Sequence, residues 1–238
     1  MVAHVVRRYR RKMNVQKGML NVDIYLTGCI VAESIGKKAC ALINPTNSDL
    51  VSTKAPYFPV GERPRNIHRH ETNASWGGLD IGSNQLYPTQ VVDGRVNEFG
   101  GRALADELSE AKGPLDVGDS VASNATEQLA HNFTHILHTV PPYPTDTNAN
   151  DLLEMCYSSA LKLASRLGCE VVVSPLLGNG QRGFSDERSV AAAVRALETF
   201  EDSSFERAPT ICFGLIDDQL PFVFEEAFAK SEAFVAVD

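Results

Sequence analysis

The stretch VVVSPLLGNGQRGFSDE, from Val171 to Glu187, joins a β-branched run to three closely spaced glycines and then to a helix start. Gly178, Gly180 and Gly183 match the spacing G-x-G-x-x-G of a dinucleotide-binding turn. A Rossmann domain needs several more strand–helix units after that turn, whereas only 55 residues follow Gly183. Acidic residues in the first helical turn would also repel a phosphate placed there. From this loop alone, a glycine-rich connection that binds nothing explains the sequence as well as a ligand site does.

The composition is typical of a soluble globular protein. The chain of 238 residues is 43% hydrophobic and 22% charged, which suits one well-buried core and is short for two domains. No apolar run approaches the length of a membrane span, so no membrane contact is expected. The net charge of −8 argues against a general nucleic-acid-binding surface.

The amino terminus departs from this acidic average. Up to Leu20 the chain has no acid and six basic residues, which are Arg7, Arg8, Arg10, Arg11, Lys12 and Lys17. Such a segment resembles an organelle presequence, but it lacks the usual serine richness. We therefore expect residues 1–19 to be a solvated basic tail and residues 20–238 to form a single domain.

The cysteines and histidines show no ligand spacing. Five cysteines are scattered without a C-x-x-C pair, which indicates small buried residues in a reducing compartment. His68 and His70 lie in a polar loop, and His135 and His138 point to opposite faces if they lie on a strand. The sequence therefore predicts no metal site and an intracellular protein, cytoplasmic or nuclear, with organelle import as the alternative.

Strands alternate with helices along the rest of the chain. Alternating apolar residues from Leu20 to Leu26 predict a strand, and short apolar runs predict others at 39–43, 133–140, 171–174 and 210–216. Helical spacing predicts helices at 92–108, 153–167, 190–197 and 222–229, the second closed by Gly168 and the third capped by Ser185. This order predicts an α/β domain, in which ligands bind beyond the carboxyl ends of the strands.

Residues 51–90 interrupt this alternation. The segment contains Pro56, Pro59, Pro64 and Pro88, four glycines and few periodic apolar residues. A loop of this length is usually functional or disordered. It is therefore interpreted as a loop-rich insertion that could bind a protein partner, and Trp76 within it could form part of a lid over a ligand.

Four blocks, taken together and in order, carry a family resemblance. They are ALINPTNSDL, VVDGRVNEFGGRALADEL, GDSVASNATEQLAHNFTHILHTVPP and LLEMCYSSALKLASRLGCEVVVSPLLGNGQRGFSDE. The chain resembles the macrodomains, a family of ADP-ribose-binding modules. The resemblance implies a three-layer α/β/α fold with a mixed, mostly parallel sheet of about six strands, helices on both faces, and no cofactor.

The resemblance also implies a ligand site. The glycine loop would wrap the diphosphate through backbone N–H groups, the amide of Asn47 would contact the distal ribose, and the carboxylate of Asp93 would orient water or a hydroxyl there. Asp93 has an alternative interpretation as a helix N-terminal acid, and Asn44 is interpreted as a structural residue at a strand end. Asn47 and Asp93 are the candidate catalytic residues, and the ligand-binding set adds Cys29, Ile30, Ser174, Pro175, Leu176, Gly178, Asn179, Gly180, Gln181, Arg182, Gly183 and Phe184.

Departures from the family pattern limit what the resemblance implies. The glycine run before V-D-G is replaced by residues 88–91, and an aspartate that accepts the adenine amino group is replaced by Cys29, a weak acceptor. Arg182 replaces the aromatic residue of the phosphate loop and could pair with a phosphate. Ile216 and Asp217 stand where an adenine-stacking aromatic is common.

Three functions fit these matches and losses. The chain could hydrolyse a mono-ADP-ribosyl ester slowly, releasing ADP-ribose from a protein or from O-acyl-ADP-ribose. It could bind ADP-ribose or a mono-ADP-ribosylated protein without cleaving it, which is the expectation that best balances the matches and losses. It could also be a degenerate scaffold that binds a protein partner through residues 51–90.

Overall fold

The computed structural model describes residues 3–12, 20–33, 35, 39–51, 91–110, 114–180, 182–201 and 209–237. Nearly all of the predicted insertion, including Trp76, and the candidate residue Gln181 lie outside these ranges. The partner-binding role assigned to the insertion therefore stays a prediction.

Eight strands of the described residues form one sheet. They are β1 (His4–Arg11), β2 (Asn21–Leu26), β3 (Ala41–Pro45), β4 (Ser120–Asn124), β5 (His135–Thr139), β6 (Val171–Ser174), β7 (Thr210–Leu215) and β8 (Phe234–Ala236). Their order is β4-β5-β3-β6-β7-β2-β1-β8. The five central strands are parallel, whereas β4, β1 and β8 pair antiparallel with their neighbours. The predicted mixed, mostly parallel sheet is confirmed, with more strands than the six expected.

Four α-helices of the described residues cover the two faces of this sheet. They are α1 (Val92–Ser109), α2 (Ala149–Arg166), α3 (Asp186–Thr199) and α4 (Leu220–Lys230). Neighbouring residues of β3 point to opposite sides, because side chains alternate along a strand. Ala41 and Ile43 pack in a core with α2, α3 and α4, and Leu42 packs in a second core with α1. The three-layer α/β/α arrangement is confirmed, and no described helix is long and apolar enough to cross a membrane.

Two predicted helix boundaries have the expected local chemistry. The Ser185 hydroxyl accepts a hydrogen bond from the backbone N–H of Arg188 at 3.3 Å and so caps α3. Gly168 follows α2 with a φ of 68°, a left-handed conformation that glycine adopts without steric cost.

Part of the predicted basic tail is a strand of the sheet. β1 pairs with both β2 and β8, and Tyr9 is buried against Phe228 with ring centroids 4.1 Å apart. The buried guanidinium of Arg11 donates to the backbone carbonyls of Leu197 and Phe200 at 3.0 and 2.6 Å, at the carboxyl end of α3. The prediction of a solvated tail is therefore wrong for His4–Arg11. It failed because basic residues usually lie on the surface, whereas Arg11 is one of the inward-facing residues of this strand.

A disulfide joins two of the five cysteines. Cys40 precedes β3 and Cys169 precedes β6, 129 residues later, and the two sulfurs are bonded. The interpretation of all five cysteines as reduced is wrong for this pair. Of the described cysteines, Cys29, Cys156 and Cys212 are not disulfide-bonded. The spacing of the cysteines in the sequence could not predict this disulfide, because β3 and β6 become neighbours only in the folded sheet.

Candidate functional site

A cavity of about 370 Å³ lies beyond the carboxyl ends of β3 and β5. Asn47, Asp93 and Arg182 all contribute to its lining, although they come from three separate segments of the chain. The structure thus brings together three of the residues that were predicted to contact ligand. This edge of the sheet is where ligands bind in parallel α/β folds.

The Asp93 carboxylate is held in place by two amide side chains. Asn44 Nδ2 donates to Asp93 Oδ1 at 2.9 Å, and Asn97 Nδ2 donates to the same oxygen at 3.2 Å. Asp93 is buried and occupies the first turn of α1, where a negative charge interacts favourably with the helix dipole. The helix-terminal and cavity-lining interpretations of Asp93 are therefore compatible.

A buried polar chain continues from Asn44 into the protein. Asn44 Nδ2 lies 3.2 Å from His138 Nδ1, and His138 Nε2 lies 2.9 Å from the Ser123 hydroxyl. Because an amide nitrogen can only donate, His138 Nδ1 is an acceptor and Nε2 carries the ring proton. Asn44 is thus a structural residue, as expected, and it also connects the buried histidine to Asp93.

Burial keeps His138 neutral. Loss of hydration lowers the pKa of this imidazole from 6.5 to about 4. At pH values between these two, the unfolded chain takes up a proton that the folded protein excludes. The free energy of unfolding is therefore highest above pH 6.5, as far as His138 is concerned, and it decreases as the pH falls towards 4.

We expect acid conditions to destabilise the protein through His138. The free energy of unfolding should fall by about 3 kcal/mol between the two pKa values. Chemical denaturation measured at several pH values checks this, and the His138→Gln variant should show a flatter profile. The variant His131→Gln removes an exposed histidine and is the matched control. Identical pH profiles for wild type and His138→Gln would contradict the prediction.

Asn47 lines the cavity, but its amide is occupied. Asn47 Nδ2 donates to the backbone carbonyl of Val51 at 2.7 Å, and its Oδ1 accepts from the Val51 N–H at 3.1 Å. The side chain therefore closes the turn that follows β3. The contact of Asn47 with a ribose stays a prediction. It would require the amide to give up a hydrogen bond to Val51 in exchange for one to the ribose.

The glycine loop folds back on itself beside the cavity. The Phe184 N–H donates to the Gly178 carbonyl at 3.0 Å, and the Gly183 N–H donates to the Gly180 carbonyl at 3.1 Å. Gly178 and Gly183 have φ values of 90° and 81°, which side chains rarely tolerate. The glycine spacing therefore serves a tight turn that follows β6.

Four backbone N–H groups of this loop make no hydrogen bond to another described residue. They are those of Gly178, Asn179, Gly180 and Arg182. Asn179 is a buried residue, and an anion bound at this turn would supply the acceptor that its N–H lacks among the described residues. A Cβ placed on Gly180 would meet no atom within 4 Å, which leaves room for a ligand to approach.

Arg182 is positioned by an aromatic ring. Its guanidinium carbon lies 4.3 Å from the ring centroid of Tyr143, and Nη2 donates to the carbonyl of Thr46 at 3.3 Å. The loop lacks the aromatic residue of the family pattern, but Tyr143 brings a ring to the same cavity from the segment after β5. A cation stacked in this way retains donors for a phosphate.

The other described residues of the predicted set do not line this cavity. Ser174 and Leu176 are buried beneath the loop, and the Ser174 hydroxyl donates to the Pro175 carbonyl at 2.8 Å. Cys29 and Ile30 follow β2 and are not among the described residues that line the cavity.

A carboxylate adjoins the position where the family acid is missing. Glu33 Oε2 accepts from the Thr27 hydroxyl at 2.8 Å and from the Gly28 N–H at 2.9 Å. The loop that carries Cys29 is therefore closed by an acid four residues further along the chain.

Comparisons with known proteins agree with this geometry. A family model described as Macro domain matches residues 83–193. A macro domain-containing protein of Caldanaerobacter subterraneus is 30% identical over 145 residues, which cover 58% of this chain and 79% of that protein. This chain belongs to the macrodomain family. The resemblance inferred from the four sequence blocks is confirmed.

A viral relative and a solved structure extend the comparison for this macrodomain. A segment of the Rubella virus non-structural polyprotein p200 is 33% identical over 165 residues, which cover 64% of this chain and 7% of the polyprotein. The structure is similar to that of an Oceanobacillus iheyensis macrodomain mutant with ADPR, with a TM-score of 0.63 and 16% identity. That match covers 93% of this chain and 97% of the other, and it shows the shared fold.

Sequence reasoning missed the chain behind Asp93 and the aromatic partner of Arg182. Ser123 and His138 lie on β4 and β5, which are neighbours in the sheet, so their pairing needs the fold. Tyr143 follows the VPP segment, and nothing in its spacing connects it with a loop 39 residues later. For Asn44, the sequence signal was the position of a polar residue at the end of the apolar run ALIN, which indicated a structural role.

Proposed function

We propose that this macrodomain binds ADP-ribose, free or attached to a protein, in the cavity beyond β3 and β5. The observation that carries the proposal is the set of backbone N–H groups without a partner among the described residues, at Gly178, Asn179, Gly180 and Arg182. Several backbone donors within one tight turn suit the diphosphate, because backbone donors can satisfy anionic oxygens at close range. The ADPR in the Oceanobacillus iheyensis neighbour supports the same ligand.

The ribose end of the ligand would lie against Asp93. The carboxylate lines the cavity wall and is oriented by Asn44 and Asn97. A fixed carboxylate can accept a hydrogen bond from a ribose hydroxyl or from a water molecule. The guanidinium of Arg182, stacked on Tyr143, would balance the charge of the nearby phosphate.

We extend the proposal to a slow hydrolysis at the same site. A water oriented by Asp93 would add to the anomeric carbon of the distal ribose as its proton passes to the Asp93 carboxylate, and the bond from that carbon to the protein carboxylate would break, so that the carboxylate leaves as an anion. Asp93 then releases the proton to solvent. His138 is neutral and holds Asn44, so it positions the amide and is not the acid of the reaction. The lost glycine run before α1 predicts a loosely held substrate and therefore slow turnover.

The variant Asp93→Asn is expected to separate cleavage from binding. Turnover should fall by about a hundredfold or more, because the amide cannot accept the proton of water and a positioned general base contributes about that much. ADP-ribose affinity should change much less, because the diphosphate contacts remain. Release of ADP-ribose from a mono-ADP-ribosylated glutamate substrate and titration calorimetry measure the two quantities.

The variant Asp49→Asn is a matched control. It removes the same charge from the lining of the same cavity, and the exposed Asp49 carboxylate has no proposed role in cleavage. Wild-type turnover in Asp93→Asn would remove Asp93 from the mechanism. Binding without turnover in the wild type would assign the protein as a reader of ADP-ribose.

A further inference from the structure

Three side chains with metal-binding atoms meet at the amino ends of three adjacent strands. Cys40 precedes β3, His135 begins β5, and Cys169 precedes β6. His135 Nδ1 lies 3.9 Å from Cys40 Sγ and 3.8 Å from Cys169 Sγ. The ligand cavity lies at the opposite, carboxyl ends of these strands, which is about 15 Å away for strands of this length. The cluster is therefore separate from the proposed ADP-ribose site.

We propose that the cluster, once its disulfide is reduced, binds a soft divalent cation such as Zn²⁺. Two thiolates and one imidazole are the donor set that zinc prefers. A purely structural disulfide has no need of an imidazole directed at both sulfurs. The disulfide form is then the oxidised, metal-free state of the same site.

The geometry requires two changes, because the sulfurs must separate and the Thr134 hydroxyl must release His135 Nδ1. In a tetrahedral zinc site with bonds of about 2.3 Å to sulfur and about 2.0 Å to nitrogen, the nitrogen lies roughly 3.5 Å from each sulfur. The observed distances from His135 Nδ1 are close to this value. The two sulfurs must separate to roughly 3.8 Å for the same bond lengths. Their Cα atoms are 5.1 Å apart, so side-chain rotation suffices.

The surroundings leave access and a place for a fourth ligand. Cys40 and His135 are partly exposed, whereas Cys169 is buried. The Thr134 hydroxyl lies 3.0 Å from His135 Nδ1 and 3.2 Å from Cys40 Sγ. It closes one side of the cluster, and a water molecule would complete the coordination.

The chemical steps balance with a named reductant. A phosphine and one water molecule convert the disulfide into two thiols, and the phosphine leaves as its oxide. The two thiols then lose two protons as they bind the cation, while the neutral imidazole carries its proton on Nε2 and binds through Nδ1. Metal affinity should therefore weaken as the pH falls, because the thiolates are the ligands.

Cobalt substitution tests the proposal on the full chain. Phosphine-reduced protein should bind one Co²⁺ per chain, with a thiolate-to-cobalt charge-transfer absorption band that Zn²⁺ abolishes. The oxidised protein should show no band. The variants Cys40→Ser and Cys169→Ser should lose the band, and His135→Ala should weaken cobalt binding by at least about tenfold, since even outer-shell partners contribute that much.

The variant Cys29→Ser is the matched control, because it removes a partly exposed thiol outside the cluster and should keep the band. Near-ultraviolet circular dichroism establishes that each protein is folded. A folded, reduced wild type that binds no cobalt would overturn the proposal, as would a band that persists in Cys40→Ser. Unfolding upon reduction would also overturn it, because the metal site requires a folded reduced form.

Discussion

Replacing Gly180 with glutamate is expected to weaken ADP-ribose binding by about tenfold or more, because a carboxylate would be placed against the diphosphate. The fold should tolerate the change. A Cβ at Gly180 meets no atom within 4 Å, and its φ is not in the left-handed region. Titration calorimetry with ADP-ribose gives the dissociation constants, and a thermal melt gives the stability.

The variant Gly180→Gln separates charge from bulk in this experiment. Glutamine has nearly the same size as glutamate, so the difference between the two variants reports electrostatic repulsion alone. We expect Gly180→Gln to bind distinctly more tightly than Gly180→Glu. Equal affinities for wild type and a folded Gly180→Glu would show that the diphosphate does not lie in this loop.

Removing residues 1–12 is expected to lower the melting temperature by roughly 10 °C or more. The deletion removes the pairing of β1 with β2 and with β8. It also removes the buried Tyr9 ring and the Arg11 guanidinium at the end of α3. These losses should total several kcal/mol, at about 2–4 °C per kcal/mol for a chain of this size.

Two further variants show whether the strand itself is responsible. Deleting only residues 1–2 leaves β1 in place and should leave the melting temperature unchanged. Arg11→Leu keeps the strand but leaves two carbonyls of α3 without their donor, so an intermediate decrease is expected. An unchanged melting temperature after removal of residues 1–12 would contradict the placement of β1 in the sheet.

The elements with strong apolar periodicity could be predicted from the sequence. β2, β6, α2 and α3 have enough apolar residues at the expected spacing to mark the buried face, and Ser185 and Gly168 supply local signals for helix ends. The family match then placed Asp93 and the glycine loop at one edge of the sheet. Both were found there because parallel strands present their carboxyl ends together.

The remaining features depend on long-range pairing. β1 was missed because Arg11 is an inward residue whose burial is possible only next to the carbonyls of α3. β8 was missed because its three residues depend on pairing with β1. The chain from Asp93 to Ser123 and the Cys40–Cys169 bond each join residues far apart in sequence. Composition and local periodicity contain no information about such contacts.

Titration of ¹⁵N-labelled protein with ADP-ribose, followed through the backbone amide signals, tests the central claim most directly. The account predicts that the amides of Asn179, Gly180 and Arg182 shift strongly and that the amide of Asp93 shifts with them. The amides of Cys40 and His135, at the opposite ends of the strands, should remain unchanged. The absence of shifts at saturating ADP-ribose, or shifts confined to residues outside the loop and the start of α1, would contradict the account.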